Sequence, residues 1–166
     1  MKIIKKILAL DLGTKTGWAH SCGVSGTWDL SVKRDESGGM RLIRLRTKLK
    51  AIFQEEGIDL IVFEAVRNAA PGMQGAMVVM AEMQGVVKAW GETAKLRGKQ
   101  IEYRGYSPGE IKKHATGKGN SGKPAMREAA MKEWGPTVVR KGTDDNEIDA
   151  MWLLDLAKKE YGSTNA

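Results

Sequence analysis

Cysteine is almost missing from this chain: Cys22 is the only one in 166 residues. A single thiol excludes an internal disulfide and argues against a cysteine-based zinc site, and it fits a reducing cytoplasm. Long apolar runs are missing as well. No stretch approaches the roughly 20 residues that span a bilayer, so no membrane association is expected. The opening MKIIKKILALDLG places lysines before an apolar stretch, but Asp11 interrupts it and no cleavage site follows. A signal peptide is therefore not expected. No internal repeat or low-complexity segment occurs. His114 has no His or Asp partner at ligand spacing and is expected at the surface rather than on a metal.

What is present suits one globular domain, residues 1–161, followed by a polar tail at 162–166. Hydrophobic residues make up 42% and charged residues 28%, so the chain can bury a core and disorder is not the default. The formal net charge of +7 and a pI near 9.5 point to a polyanionic partner, most simply nucleic acid. The surplus is concentrated. Lys95 to Lys132 holds ten lysines and arginines against three acids, a local excess equal to that of the whole chain. Phosphates attracted to such a region are held by salt-sensitive contacts.

The order of elements follows from periodicity. Ile7 to Leu10 is an apolar run ending at Asp11 and a Gly-Thr-Lys-Thr-Gly turn, the pattern of a buried strand that carries an acid to its end. Alternation puts Ile7, Ala9 and Asp11 on one face. Thr16–Cys22 and Gly26–Val32 read as two further strands joined through Gly23–Gly26, with Trp18 and Trp28 packed on the sheet. Met40–Glu56 has helical spacing of Leu42, Leu45, Leu49, Ile52 and Phe53. Ile58–Val66 is a second buried strand; reached by a helical crossover, it should lie parallel to the first and end in Glu64 at the same sheet edge. A loop at Arg67–Gly75 and a long helix at Gly75–Leu96 follow. In that helix Met73, Met77, Met80, Met83, Gln84 and Val87 are expected to face the core, with a dimer seam as the second reading. Gln100–Tyr106 is a short strand. Ser107-Pro108-Gly109-Glu110 has the form of a capping box and opens a helix. Another helix covers Pro124–Trp134, and the last runs from Asp144 to Tyr161. The fold class is thus α/β.

Three segments each bring an acid to an element edge: Asp11, Glu64, and Asp149 with Asp145 four residues before it. Asp149 stands beside Ile148 in an otherwise apolar stretch, whereas Asp144 and Asp145 could serve only as caps. Gathered carboxylates repel one another and need a counter-charge, and Mg²⁺ takes oxygen ligands of this kind. Two such ions about 3.5–4 Å apart can clamp the attacking and leaving oxygens of a phosphoryl transfer.

The strand-Asp-Gly turn, the later strand ending in Glu, and the last helix opening acid-x-x-x-Asp-Ala together resemble the RuvC-type Holliday junction resolvases. The resemblance runs in order along nearly the whole chain. It implies a ribonuclease H-like fold, with a mixed five-stranded sheet flanked by helices. It also implies a metal-dependent endonuclease that nicks branched DNA, especially four-way junctions, with Mg²⁺ or Mn²⁺ as cofactor. A homodimer is implied too, in the cytoplasm of a bacterium or a phage-infected host. Carried over by motif, Asp11, Glu64 and Asp149 are catalytic metal ligands. The family's fourth acid usually lies three residues before the last; Asn146 holds that place here, so Asp145 is expected to serve, with Asn146 as a weaker ligand. Lys112 and Lys123 fall where the family places basic residues, and Lys113 and Lys118 join them as expected nucleic-acid contacts. The family's aromatic after the mid-chain Glu is replaced by Arg67 and Asn68. A YqgF-like nuclease acting on structured RNA, or a non-catalytic nucleic-acid-binding module, would share parts of this pattern.

Two motifs mislead. Gly117–Lys123, GKGNSGK, nearly matches a P-loop, but Pro124 replaces the hydroxyl residue and no strand precedes it. Asp11-Leu12-Gly13-Thr14 resembles the first phosphate loop of sugar-kinase and actin-like ATPases, whose two related domains a chain of this length cannot hold.

Overall fold

The computed structural model describes residues 5–66 and 71–162. Strands Ile7–Asp11 (β1), Lys15–His20 (β2), Ser25–Asp29 (β3), Leu60–Glu64 (β4) and Glu102–Tyr106 (β5) form one sheet in the order β3-β2-β1-β4-β5. β1–β2 and β2–β3 pair antiparallel, while β1–β4 and β4–β5 pair parallel. Helices Gly39–Glu55 (α1), Gln74–Leu96 (α2), Pro108–Thr116 (α3), Lys123–Trp134 (α4) and Asp145–Tyr161 (α5) flank it. The mixed five-stranded α/β architecture is the one expected.

Strand alternation divides the core into two layers. Ile7 and Ala9 of β1, with Leu60 and Val62 of β4, pack beneath residues of α3, α4 and α5. Leu8 and Leu10, with Ile61 and Phe63, face α1 and α2. The same alternation sends Asp11 and Glu64 toward the α5 layer. Leu10 pairs with Phe63 in the parallel register, so the acid that follows each stands beside the other at one sheet edge.

α5 is the central helix of its layer. Ile148, Ala150, Met151, Trp152, Leu153, Leu154 and Ala157 are buried. Such a helix, apolar on most sides, must be covered by the sheet and by neighbouring helices. The Trp152 indole N–H donates to the Met126 carbonyl of α4 at 3.1 Å, which spares a buried donor the cost of about 1–3 kcal/mol for having no partner. Asp144 caps the helix by accepting from the Glu147 N–H at 2.8 Å, and Thr27 Oγ1 of β3 donates to it at 2.7 Å. α3 begins with the capping box read from the sequence: Ser107 and Glu110 exchange both bonds.

Two expectations need correction. The second and third strands are shorter than Thr16–Cys22 and Gly26–Val32. Gly23 takes φ +100° and the His20 N–H bonds the Val24 carbonyl at 2.8 Å, which closes the hairpin before Cys22 can pair. The methionine stripe is only partly core: Met83, Gln84 and Val87 are buried, but Met73 is 54% exposed, as is Val78 at 57%, and Met77 and Met80 are half-buried. The buried residues of α2 begin at Met83, so helical spacing alone overstates the burial of its amino-terminal half. Trp18 and Trp28 do pack on the sheet, stacked with centroids 5.4 Å apart. Arg67 and Asn68 lie outside the described residues.

Candidate active site

The carboxylates of Asp11, Glu64 and Asp149 line one cavity of about 410 Å³. β1 and β4 deliver the first two from adjacent strand ends, and the first turns of α5 deliver the third. Lys112 of α3, and Ser121, Gly122 and Lys123 at the start of α4, line the same cavity. Ile111, Met126 and Leu153 supply an apolar lining.

Gly17 is what allows α5 to come this close. It pairs with Asp11 across β1–β2, and a Cβ built on it would sit 1.8 Å from the Asn146 carbonyl oxygen and 2.2 Å from its carbon. The first turn of α5 therefore lies directly on the strand beside Asp11, and only a residue without a side chain fits beneath it.

The electrostatics follow from burial and crowding. Burial, then the charges of Asp149 and Glu64, push the Asp11 carboxyl well above the usual range, while Lys123 pulls it back. Asp149 is pushed up to about 6 by burial and then by Glu64, with Lys123, and more weakly Lys112, opposing. Burial raises Glu64, and Lys112 lowers it. None of the three carboxylates accepts a hydrogen bond from a side chain or backbone group among the described residues. Half-buried, crowded carboxylates without donors are costly to ionise unless a cation meets them. They do not close into a trio whose oxygens all lie within 4.8 Å. Like charges oppose that approach, and a cation between them would relieve the repulsion. An all-oxygen, anionic donor set of this kind fits a hard divalent ion.

The other expected residues are distributed differently. Asp145 does not line the cavity; its carboxylate lies 3.9 Å from Arg127 Nε, though its charge still raises Asp149. Asn146 contributes the backbone contact with Gly17. Lys113 and Lys118 are exposed outside the cavity, Lys113 on the same helix as Lys112 and Lys118 in the loop that leads to α4. Lys123 is the first residue of α4 rather than a loop residue.

His114 is not a free surface residue. Its side chain is 13% exposed, Nε2 lies 2.7 Å from Asp155 of α5, and its ring meets Trp152 edge-on at 5.9 Å. Sequence spacing does not reveal the pair, because Asp155 is 41 residues away and becomes a neighbour only when α3 docks on α5. This contact ties the helix that carries Lys112 to the helix that carries Asp149. Arg127, whose guanidinium also donates to the Thr143 carbonyl just before α5, went unread for the same reason.

No protein-family model and no curated protein matches the sequence. Solved structures do match, and this chain shares their fold. Thermus thermophilus RuvC in complex with a Holliday junction substrate superposes with a TM-score of 0.70, covering 96% of this chain and 95% of its own at 13% identity. A second Thermus thermophilus RuvC structure gives 0.68 over 95% and 97% at 14% identity. The yeast mitochondrial Holliday junction resolvase gives 0.64 over 98% and 81% at 12% identity.

Proposed function

We propose that this protein is a metal-dependent, structure-selective endonuclease that nicks branched DNA, with four-way junctions as its main substrate. The observation that carries the reading is the convergence of Asp11, Glu64 and Asp149 on one cavity faced by Lys112 and Lys123. The likeness to a junction-bound RuvC supports the choice of substrate.

In this reading Asp11, Glu64 and Asp149 hold Mg²⁺ or Mn²⁺. Asp145 acts through its charge on Asp149 and completes the set if it turns from Arg127; Asn146 is a weaker candidate ligand. When bound, the metal supplies charge neutralisation and an activated water for phosphodiester hydrolysis. Lys112 and Lys123 bind and orient the scissile phosphate in the same cavity. Lys113 and Lys118 extend that cationic surface along the DNA backbone, where contacts position the duplex without reading its sequence. The protein acts as a homodimer, with the exposed Val78 and half-buried Met77 of α2 as the apolar surface available for pairing, and it works in the cytoplasm of a bacterium or phage-infected host.

The deciding experiment offers the purified protein a mobile four-way DNA junction, the matching linear duplex and a structured RNA, each with and without Mg²⁺. Junction cutting that requires Mg²⁺ and exceeds cutting of the other two supports the proposal. Preferential cutting of RNA would favour a YqgF-like activity, and binding without cutting would leave a nucleic-acid-binding module.

A further inference from the structure

At the end of the sheet remote from the cavity, three side chains of different chemistry meet. A ring nitrogen of His20, the thiol of Cys22 and a carboxylate oxygen of Glu56 all lie within 4.8 Å of one another. His20 ends β2, Cys22 sits in the β2–β3 turn, and Glu56 is the carboxy-terminal cap of α1. β1 begins beside them, with the Ile7 N–H bonded to Ser21 Oγ at 2.9 Å, whereas Asp11 is at its far end.

Backbone contacts fix the imidazole. The Gly57 carbonyl can only accept, so Nε2, 2.9 Å away, carries the proton. The Cys22 N–H can only donate, so Nδ1, at 3.0 Å, carries the lone pair. His20 itself is 1% exposed and cannot swing away. A neutral imidazole with one N–H locked on a backbone carbonyl and its other nitrogen unprotonated is the form in which histidine ligates a transition metal. Glu56 is half-buried and Cys22 exposed, so both can make the small closure that a tetrahedral ion requires.

We infer that His20, Cys22 and Glu56 form a second metal site, for a borderline-soft divalent ion such as Zn²⁺, with water as fourth ligand. Nitrogen, thiolate and carboxylate donors together favour Zn²⁺ or Co²⁺ over Mg²⁺. On binding, the thiol proton leaves to solvent and the ion replaces the Cys22 N–H at Nδ1, while Nε2–H keeps Gly57. A lone cysteine cannot build a thiolate cage, but here it need supply only one ligand of three. The bound ion would clip the β2–β3 turn to the end of α1, a structural role distinct from the hard-ion chemistry of the acidic cavity.

The test titrates Co²⁺ into the full chain with Mg²⁺ in large excess, following thiolate-to-cobalt charge-transfer absorption. The wild type should develop the band with one equivalent and lose it to Zn²⁺. Cys22→Ser should show no band, Glu56→Gln should bind at least about tenfold more weakly, and Asp11→Asn should retain the band. Zn²⁺, but not Mg²⁺, should slow alkylation of Cys22 by a maleimide. Cys22 is exposed and Glu56 only half-buried, so the test does not depend on replacing buried His20. The inference is overturned by no band in the wild type, by unchanged affinity in Glu56→Gln, by loss of the band in Asp11→Asn, or by an alkylation rate indifferent to Zn²⁺.

Discussion

The Asn146 carbonyl oxygen occupies the space that a side chain on Gly17 would need, 1.8 Å from where its Cβ would lie. Gly17 is also the cross-strand partner of Asp11. One close approach thus sets the position of α5, and of Asp149 on it, against the strand that carries the first acid.

Replacing Gly17 with Ala should push α5 off the sheet. Overpacking against backbone costs about 1–3 kcal/mol and often more, so denaturant midpoints should fall clearly. Cleavage should fall further than stability does, because Asp149 would move relative to Asp11. Retained stability and activity in Gly17→Ala would show that α5 is not held as described.

Asp149 makes a signed prediction for pH. Its carboxyl has an ordinary value of 3.8 and rises to about 6 in the folded chain. Between those values the folded state binds the extra proton, so stability falls as pH rises; the penalty is full above about 6 and absent below about 4. A shift of this size corresponds to at most about 3 kcal/mol. Asp149→Asn should therefore gain about 1–3 kcal/mol at pH 8 without divalent ions, with the gain vanishing near pH 4. Excess Mg²⁺ should remove most of the gain by stabilising the wild type. Equal stability of the two proteins at pH 8 would contradict the half-buried, crowded placement of Asp149.

The lysines should separate by position. Lys123→Ala and Lys112→Ala should each lower junction cleavage by about 10²-fold if they meet the scissile phosphate. Lys118→Ala should mainly weaken binding and reduce the salt slope by about one. Cleavage rates at saturating DNA, set beside binding measured over a salt series, distinguish the two behaviours.

The fold was legible because its signals are local. β1 and β4 announce themselves as short apolar runs ending in acids, alternation alone turns Asp11 and Glu64 to one face, and Ser107 with Glu110 marks a helix start. Asp149 was legible as an acid inside an apolar stretch. The rest depends on docking. Lys112 and Lys113 are neighbours in sequence but about 100° apart around the helix, so only one can enter the cavity. Asp145 shares a helix face with Asp149 by spacing, yet Arg127 of α4 lies beside it. His114 gains Asp155 only when two helices pack. The methionines of α2 follow helical spacing, yet only Met83 among them is buried.

His114 offers a test of how far that docking matters. Its partner Asp155 is 40% exposed, so the pair should contribute no more than about 1 kcal/mol after solvent screening. Asp155→Asn should leave stability nearly unchanged. If the contact positions α3, catalytic turnover should drop several-fold while junction affinity holds; unchanged turnover would assign the pair to packing alone.

The most direct test of the acidic cavity is a calorimetric Mn²⁺ titration of the wild type and of Asp11→Asn, Glu64→Gln and Asp149→Asn. The account predicts binding by the wild type and at least about tenfold weaker binding in each variant, since all three carboxylates serve the same ion or ion pair. Wild-type affinity in all three variants would contradict it.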